Sequence, residues 1–142
     1  MEKQQIRVGI VGYSGRSFNI KRGTSLLRTA YDEVQKIYAG KEIIIVSGLT
    51  DLGIPSLAYR EAVRRGLTTV GVACSRASRH KCFEVDERVI VGDQWGDESE
   101  TFINMIDVLV RVGGGNQSFA ETQAAKDKGI HVLEYELPVA NG

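Results

Sequence analysis

Three short stretches hold the residues best able to meet a ligand: GYSGRS at Gly12 to Ser17, SGLTDLGIP at Ser47 to Pro55, and RVGGGNQSFAE at Arg111 to Glu121. In the first, Gly12 and Gly15 let main chain come close to a bound molecule. The hydroxyls of Tyr13, Ser14 and Ser17 and the guanidinium of Arg16 suit phosphate or ribose. In the second, Gly48 and Gly53 bracket Thr50 and Asp51 just ahead of a helix start. In the third, the N–H groups of Gly113, Gly114, Gly115, Asn116, Gln117 and Ser118 can converge, and the following helix adds unpaired donors and the positive end of its dipole. Such a nest prefers an anion, most simply a phosphate. A Cβ at 114 or 115 would stand where a phosphate oxygen must go, and Ser118 either caps the helix or donates to the ligand. Each loop taken singly also reads as a turn that needs glycine for its dihedral angles.

Glu121 follows one turn inside the helix. Its S-x-x-E spacing from Ser118 fits a capping box, in which the carboxylate only returns to the helix start. A catalytic or ligand-orienting carboxylate instead points past the phosphate toward a sugar, and the residues leave both roles open. Trp95, the only tryptophan, offers a ring for stacking on a base or for ordinary packing. Arg111 is either a cation that reaches over its strand toward the turn or half of an ion pair on the sheet face. Cys74, His80 and Cys82 lack a recognisable zinc spacing and an evident fourth ligand, so neither a metal nor a cofactor is predicted.

Elements of alternating type must position these loops. Strand-length apolar runs recur at Ile6 to Val11, Ile43 to Val46, Thr69 to Ala73, Arg88 to Val91, Val108 to Val112 and His131 to Tyr135. Most are uninterrupted, as strands buried on both faces of a parallel sheet are. Between them, helical spacing predicts helices at Ser25 to Ala39 with Thr24 or Ser25 as cap, at Pro55 to Arg65, at Glu98 to Met105 and from about Ser118 to Lys128. Alternation of this kind predicts a doubly wound α/β fold with a mostly parallel sheet and helices on both faces, in a single domain spanning residues 1–142. In such a sheet ligands bind beyond the carboxyl ends of the strands, where all three glycine stretches lie. Ser75 to Glu84, with Arg76, Arg79, His80 and Lys81, reads as a solvated loop or a basic clamp.

Composition narrows the partners. The 142 residues balance 18 Lys and Arg against 18 Asp and Glu, so no excess charge recruits nucleic acid or a membrane surface. No apolar run approaches a membrane span, and the opening MEKQQ leads into an apolar stretch too short for a secretion signal. Two cysteines without a disulfide framework suggest reduced thiols in a cytoplasmic protein.

The stretch VGGGNQSFAE after an apolar strand resembles the GGxGTxxE motif of the SLOG superfamily, which joins the Smf/DprA proteins with the LOG proteins, often miscalled lysine decarboxylases. Gly114 and Gly115 match the two glycines, Gln117 replaces the third, Ser118 takes the threonine position and Glu121 the glutamate. The resemblance covers nearly the whole chain. It implies a Rossmann-like fold, a nucleotide or nucleotide-derived ligand, a glycine turn that holds its phosphate, and a homo-oligomer, commonly a dimer. LOG proteins hydrolyse the N-glycosidic bond of nucleoside 5′-monophosphates with the motif glutamate and an upstream arginine. Here the matching segment, GDQWGDESETFINM, contains no basic residue, Leu49 and Thr50 interrupt the second glycine loop, and Gln117 adds a side chain to the turn. The expectation is a nucleotide-binding protein with weak or absent hydrolysis. The alternatives are a LOG-type phosphoribohydrolase that uses Glu121, and a non-catalytic assembly module.

Overall fold

The computed structural model describes residues 4–140; Met1 to Lys3 and the last two residues, inside the predicted domain bounds, lie outside the described residues. In chain order the elements are β1 (Gln5–Gly12), α1 (Ile20–Ile37), β2 (Glu42–Ser47), α2 (Gly53–Arg64), β3 (Thr68–Ala73), β4 (Glu87–Ile90), α3 (Ser99–Met105), β5 (Val108–Val112), α4 (Asn116–Asp127) and β6 (His131–Tyr135). The strands form one six-stranded sheet in the order β4-β3-β2-β1-β5-β6, with every pairing parallel. A short 3-10 turn, Ser75–Arg79, begins the connection from β3 to β4. An isolated bridge from Thr50 to Cys82 ties that connection to the loop after β2. Among the described residues, no helix is long and apolar enough to cross a membrane.

Alternate strand residues point to opposite faces, and each face receives its own pair of helices. Leu27, Tyr31 and Val34 of α1 and Ile54, Ala58 and Tyr59 of α2 pack on Val8, Ile10, Ile45 and Val110. Phe102 and Ile103 of α3 and Ala125 of α4 pack on Ile44, Val46, Val72 and Leu109. Gly9 permits the second contact, because a Cβ there would lie 2.7 Å from the Phe102 ring. The result is the doubly wound, Rossmann-like α/β arrangement that the alternation predicts.

Most boundaries fall within two residues of those read from the sequence. The exception is α1, which starts at Ile20 rather than Ser25. Asn19, and not Thr24 or Ser25, is its cap, with the side chain accepting the Arg22 N–H at 3.0 Å. Gly23 obscures this first turn. Glycine has a low helix propensity, and this one is kept inside α1 by packing, since a Cβ there would lie 2.9 Å from the Phe18 ring.

The chain builds outward from β1 through β2, β3 and β4, then crosses back to add β5 and β6 on the other side of β1. The reversal between β1 and β5 opens a crevice at their carboxyl ends, the usual ligand position in open α/β sheets.

Candidate functional site

A cavity of about 320 Å³ lies at that switch point. Gly12 to Arg16 reach its wall from the first loop, Ser47 to Thr50 from the second, and Gly115 to Ser118 from the third, with Glu121 beside them. The three loops singled out in the sequence therefore meet. Gly53, Gly113 and Gly114 do not line the cavity. Sequence reasoning missed Glu98 and Phe102 and the carboxyl end of β3, Val72 and Ala73, all of which do. A wider depression of about 900 Å³ lies at the opposite end of β1, β2 and β3, where Gly40 and Gly66 follow helix ends and bring no helix N-terminus.

The glycines around the cavity divide by cause. At Gly53, with φ of 57°, a Cβ would sit 2.1 Å from the Tyr13 carbonyl oxygen, and at Gly114, with φ of 110°, it would sit 2.5 Å from Cβ of Ser118. The fold itself demands these glycines. The sequence reading that Gly114 spares room for a phosphate oxygen is corrected accordingly: Ser118 occupies that room. A Cβ added at Gly15 or Gly115 would have no heavy atom within 4 Å, and neither residue has a positive φ. At Gly48 such a Cβ would meet only Pro55 Cγ, at 4.0 Å. All three line the cavity. Neither backbone conformation nor neighbouring atoms require them to lack a side chain.

The turn at the start of α4 leaves its donors free. Gly115 is the N-cap and supplies no side chain, and its carbonyl accepts the Phe119 N–H at 3.1 Å. Among the described residues, the N–H groups of Gly115, Asn116, Gln117 and Ser118 have no acceptor in the chain, as expected for a helix opening without a cap. Ser118 therefore does not cap α4. Its buried hydroxyl donates instead to the Gly12 carbonyl at 3.4 Å, which ties the end of β1 to the first turn of α4.

Glu121 does not close a capping box either. Its Oε2 accepts a hydrogen bond from the Ser99 hydroxyl at 3.2 Å, across from α4 to the start of α3. Burial, opposed by the Ser99 and Gln117 hydrogen bonds and reinforced by the nearby Glu98 charge, pushes its carboxyl up to about 7. Glu98 is 9% exposed, and its Oε2 accepts the Gly96 N–H at 3.1 Å. Glu98, at the N-cap of α3, thus stands with Glu121 of α4 at the cavity, where the resemblance to LOG proteins leads one to seek a basic residue before β5. Trp95 is 53% exposed at the rim, with the His80 ring 5.8 Å away, so its role is not core packing.

The second loop is held from below. The Tyr59 hydroxyl shares its one proton between the carbonyls of Gly48 and Val70, 2.8 and 2.9 Å away, and Ser47 Oγ donates to the Ile10 carbonyl at 2.7 Å. Asp51 accepts from Ser56 Oγ at 2.5 Å and faces Arg60 and Lys81. Arg111 is buried at 2% exposure and does not enter the cavity. It pairs with Glu134 at 3.2 Å and Glu136 at 2.5 Å, donates to the Gly113 carbonyl at 2.8 Å and lies over the Phe119 ring. This network fixes the glycine turn to β6 and its following segment and uses up the guanidinium charge. Among the described residues, no group of three or more His, Cys, Asp or Glu side chains could hold a metal ion.

The SLOG cluster4 family model matches residues 5–140. The chain belongs to the SLOG cluster4 family. Its fold also resembles two solved proteins of low sequence identity. One is the molybdenum cofactor carrier protein of Chlamydomonas reinhardtii, with a TM-score of 0.72 and 21% identity over 92% of this chain and 76% of that one. The other is the molybdenum cofactor binding protein of Rippkaea orientalis, with a TM-score of 0.69 and 19% identity over 94% and 77% of the two chains. No curated protein sequence matches. For this SLOG cluster4 chain, those structures establish the shared fold, and the residues above supply the chemistry.

Proposed function

We propose that the chain binds a nucleotide-type, phosphate-bearing small molecule at the switch point, with its phosphate on the N–H groups that open α4 and its ring toward Trp95. The observation that carries this proposal is the start of α4: an uncapped helix N-terminus that faces a cavity, led by a glycine with open space where its Cβ would be. The cavity, about 320 Å³, sits at the small end of the ~300–1,000 Å³ range of small-molecule sites, which favours a mononucleotide over a dinucleotide. Arg16, exposed on the wall, is the cation available to a phosphate that enters from solvent.

Binding without efficient turnover is favoured by the α3 side, where Glu98 and Ser99 stand and the segment Gly92 to Met105 contains no arginine or lysine. Glu121 then orients the ligand through a ribose hydroxyl. LOG-type hydrolysis is the competing activity, and release of free base from nucleoside 5′-monophosphates distinguishes the two. We extend the proposal to a cytoplasmic homo-oligomer, in which Ile20 and Ile37, exposed on α1, offer apolar surface to a second copy; sedimentation equilibrium reads this directly.

Thermal unfolding across a panel of nucleotides, inorganic phosphate and the molybdenum cofactor tests the binding site. The cofactor belongs in the panel because two proteins of this fold carry or bind it. The native protein should be stabilised by at least one phosphate-bearing member of the panel, by about 3 kcal/mol at a hundredfold excess over Kd. A folded Gly115→Val variant should lose that stabilisation. Equal stabilisation of the two proteins would contradict a phosphate at this turn.

A further inference from the structure

We infer that Glu98 selects the ring of the bound ligand, favouring a guanine-type edge with two adjacent N–H donors over an adenine-type edge. This inference rests on the nucleotide proposal above. Glu98 is more than nine-tenths buried, lines the same cavity as the start of α4, and pairs with no lysine or arginine among the described residues. A carboxylate with so little exposure gains from each further donor that reaches it, and the oxygen without a donor in the chain keeps some contact with solvent. The Gly96 N–H supplies one donor, to Oε2, and no donor in the described chain reaches Oε1. The Ser99 hydroxyl, one residue away, is committed to Glu121. Glu98 therefore retains acceptor capacity that a ligand can meet.

The loop that carries it is built to hold a ring beside it. Asp97 Oδ2 accepts the N–H groups of Asp93 and Gln94 at 3.1 and 3.0 Å, and Gly92 and Gly96 adopt positive φ to close the turn. Trp95 is thereby presented at the cavity rim, three residues before Glu98. The Glu98 carboxylate repels a phosphate from the α3 side, so the phosphate belongs at the free N–H groups of α4 and the ring at Trp95 and Glu98. Guanine presents N1–H and the 2-amino group side by side, and one carboxylate accepts both. Hypoxanthine presents only N1–H. Adenine offers its 6-amino group as a single donor but turns the N1 lone pair toward the second carboxylate oxygen, which loses one hydrogen bond and adds repulsion.

Titration calorimetry with guanosine, inosine and adenosine 5′-monophosphates, on the native protein and on Glu98→Gln, tests this assignment. The native protein should bind the guanosine compound about tenfold more tightly than the adenosine one, with the inosine compound between them. Glutamine carries a donor and an acceptor and can face either purine, so Glu98→Gln should shrink the ratio to about twofold or invert it. Competition by inorganic phosphate should be the same in both proteins, which shows that the α4 end is intact. Equal affinity of the native protein for the three compounds overturns the inference and leaves the phosphate site standing, and this arm decides even if the variant does not fold. An unchanged ratio in a folded Glu98→Gln protein also overturns it. No binding of any of the three overturns the nucleotide proposal as well.

Discussion

Glu121 shows what a single residue's surroundings do to a spacing that admits two roles. S-x-x-E is equally a capping box and a ligand-facing carboxylate, and only the register of α4 separates them. With Gly115 as N-cap, Ser118 lies inside the first turn and Glu121 turns to Ser99 of α3. The sequence does not reveal this, because the cap is a glycine with no side chain to mark it. Burial raises the Glu121 carboxyl from 4.5 to about 7, so the folded chain holds a proton there that the unfolded chain releases. The contribution of Glu121 to stability is accordingly fully present below about pH 4.5, falls as the pH rises toward 7, and levels off above it, opposite in sign to that of Glu61, whose ion pairs hold its carboxyl low. At about 1.36 kcal/mol per pH unit, this costs the native protein at most about 3 kcal/mol at pH 8. Glu121→Gln removes the charge while keeping an acceptor for Ser99 and a neutral neighbour for Glu98 and Gln117. Urea unfolding should find the variant more stable than the native protein at pH 8 and close to it at pH 4.5. The same offset at both values would mean that Glu121 is not held in its protonated form.

At the scale of elements, the strands were legible in the sequence because a sheet covered on both faces needs nearly continuous apolar runs, and Val108 to Val112 and His131 to Tyr135 match to the residue. Helix starts were less so. Asn19 caps α1 behind a glycine that packs against Phe18, and α4 begins on a glycine, so in each case a residue usually read as a break lies at or inside the first turn. The start of α4 also separates fold from function. Gly115→Asp gives the helix a capping side chain and a negative charge at the positive end of its dipole, and should stabilise the unliganded protein by a few tenths of a kcal/mol. It should also abolish anion-induced stabilisation, because the carboxylate takes the anion's place. Gly53→Ala, at the start of α2, should do the reverse. Its φ of 57° and the Tyr13 carbonyl 2.1 Å from the new Cβ predict a loss of at least about 1 kcal/mol. Melting curves of both variants with and without inorganic phosphate measure the two effects, and a Gly115→Asp protein that still responds to phosphate would contradict the role given to α4.

For the molecule as a whole, strand order is what converts scattered loops into one site. The crossing from β4 to β5 carries the chain past β1 and sets α3 next to α4, which brings Glu98 into one cavity with Gly12 from the first loop and Gly115 from the third. The three glycine loops were legible because each follows its strand locally. The contribution of Glu98 was not, because it depends on where β4 and β5 lie relative to β1, and no spacing within DESE records that. Arg111 illustrates the same limit: alternation puts it on a face, but only the pairing of β5 with β6 reveals Glu134 as its partner. The central claim is that an anion docks on the N–H groups at the start of α4. An amide-resolved NMR titration of the native protein with guanosine 5′-monophosphate, repeated with inorganic phosphate, tests it most directly. The account predicts saturable shifts that are largest at Gly115, Asn116, Gln117 and Ser118 for both ligands, with added shifts around Trp95 and Glu98 for the nucleotide alone. Saturable shifts that leave those four amides unmoved, or that gather at the depression lined by Tyr38 and Thr68 at the other end of the sheet, would contradict it.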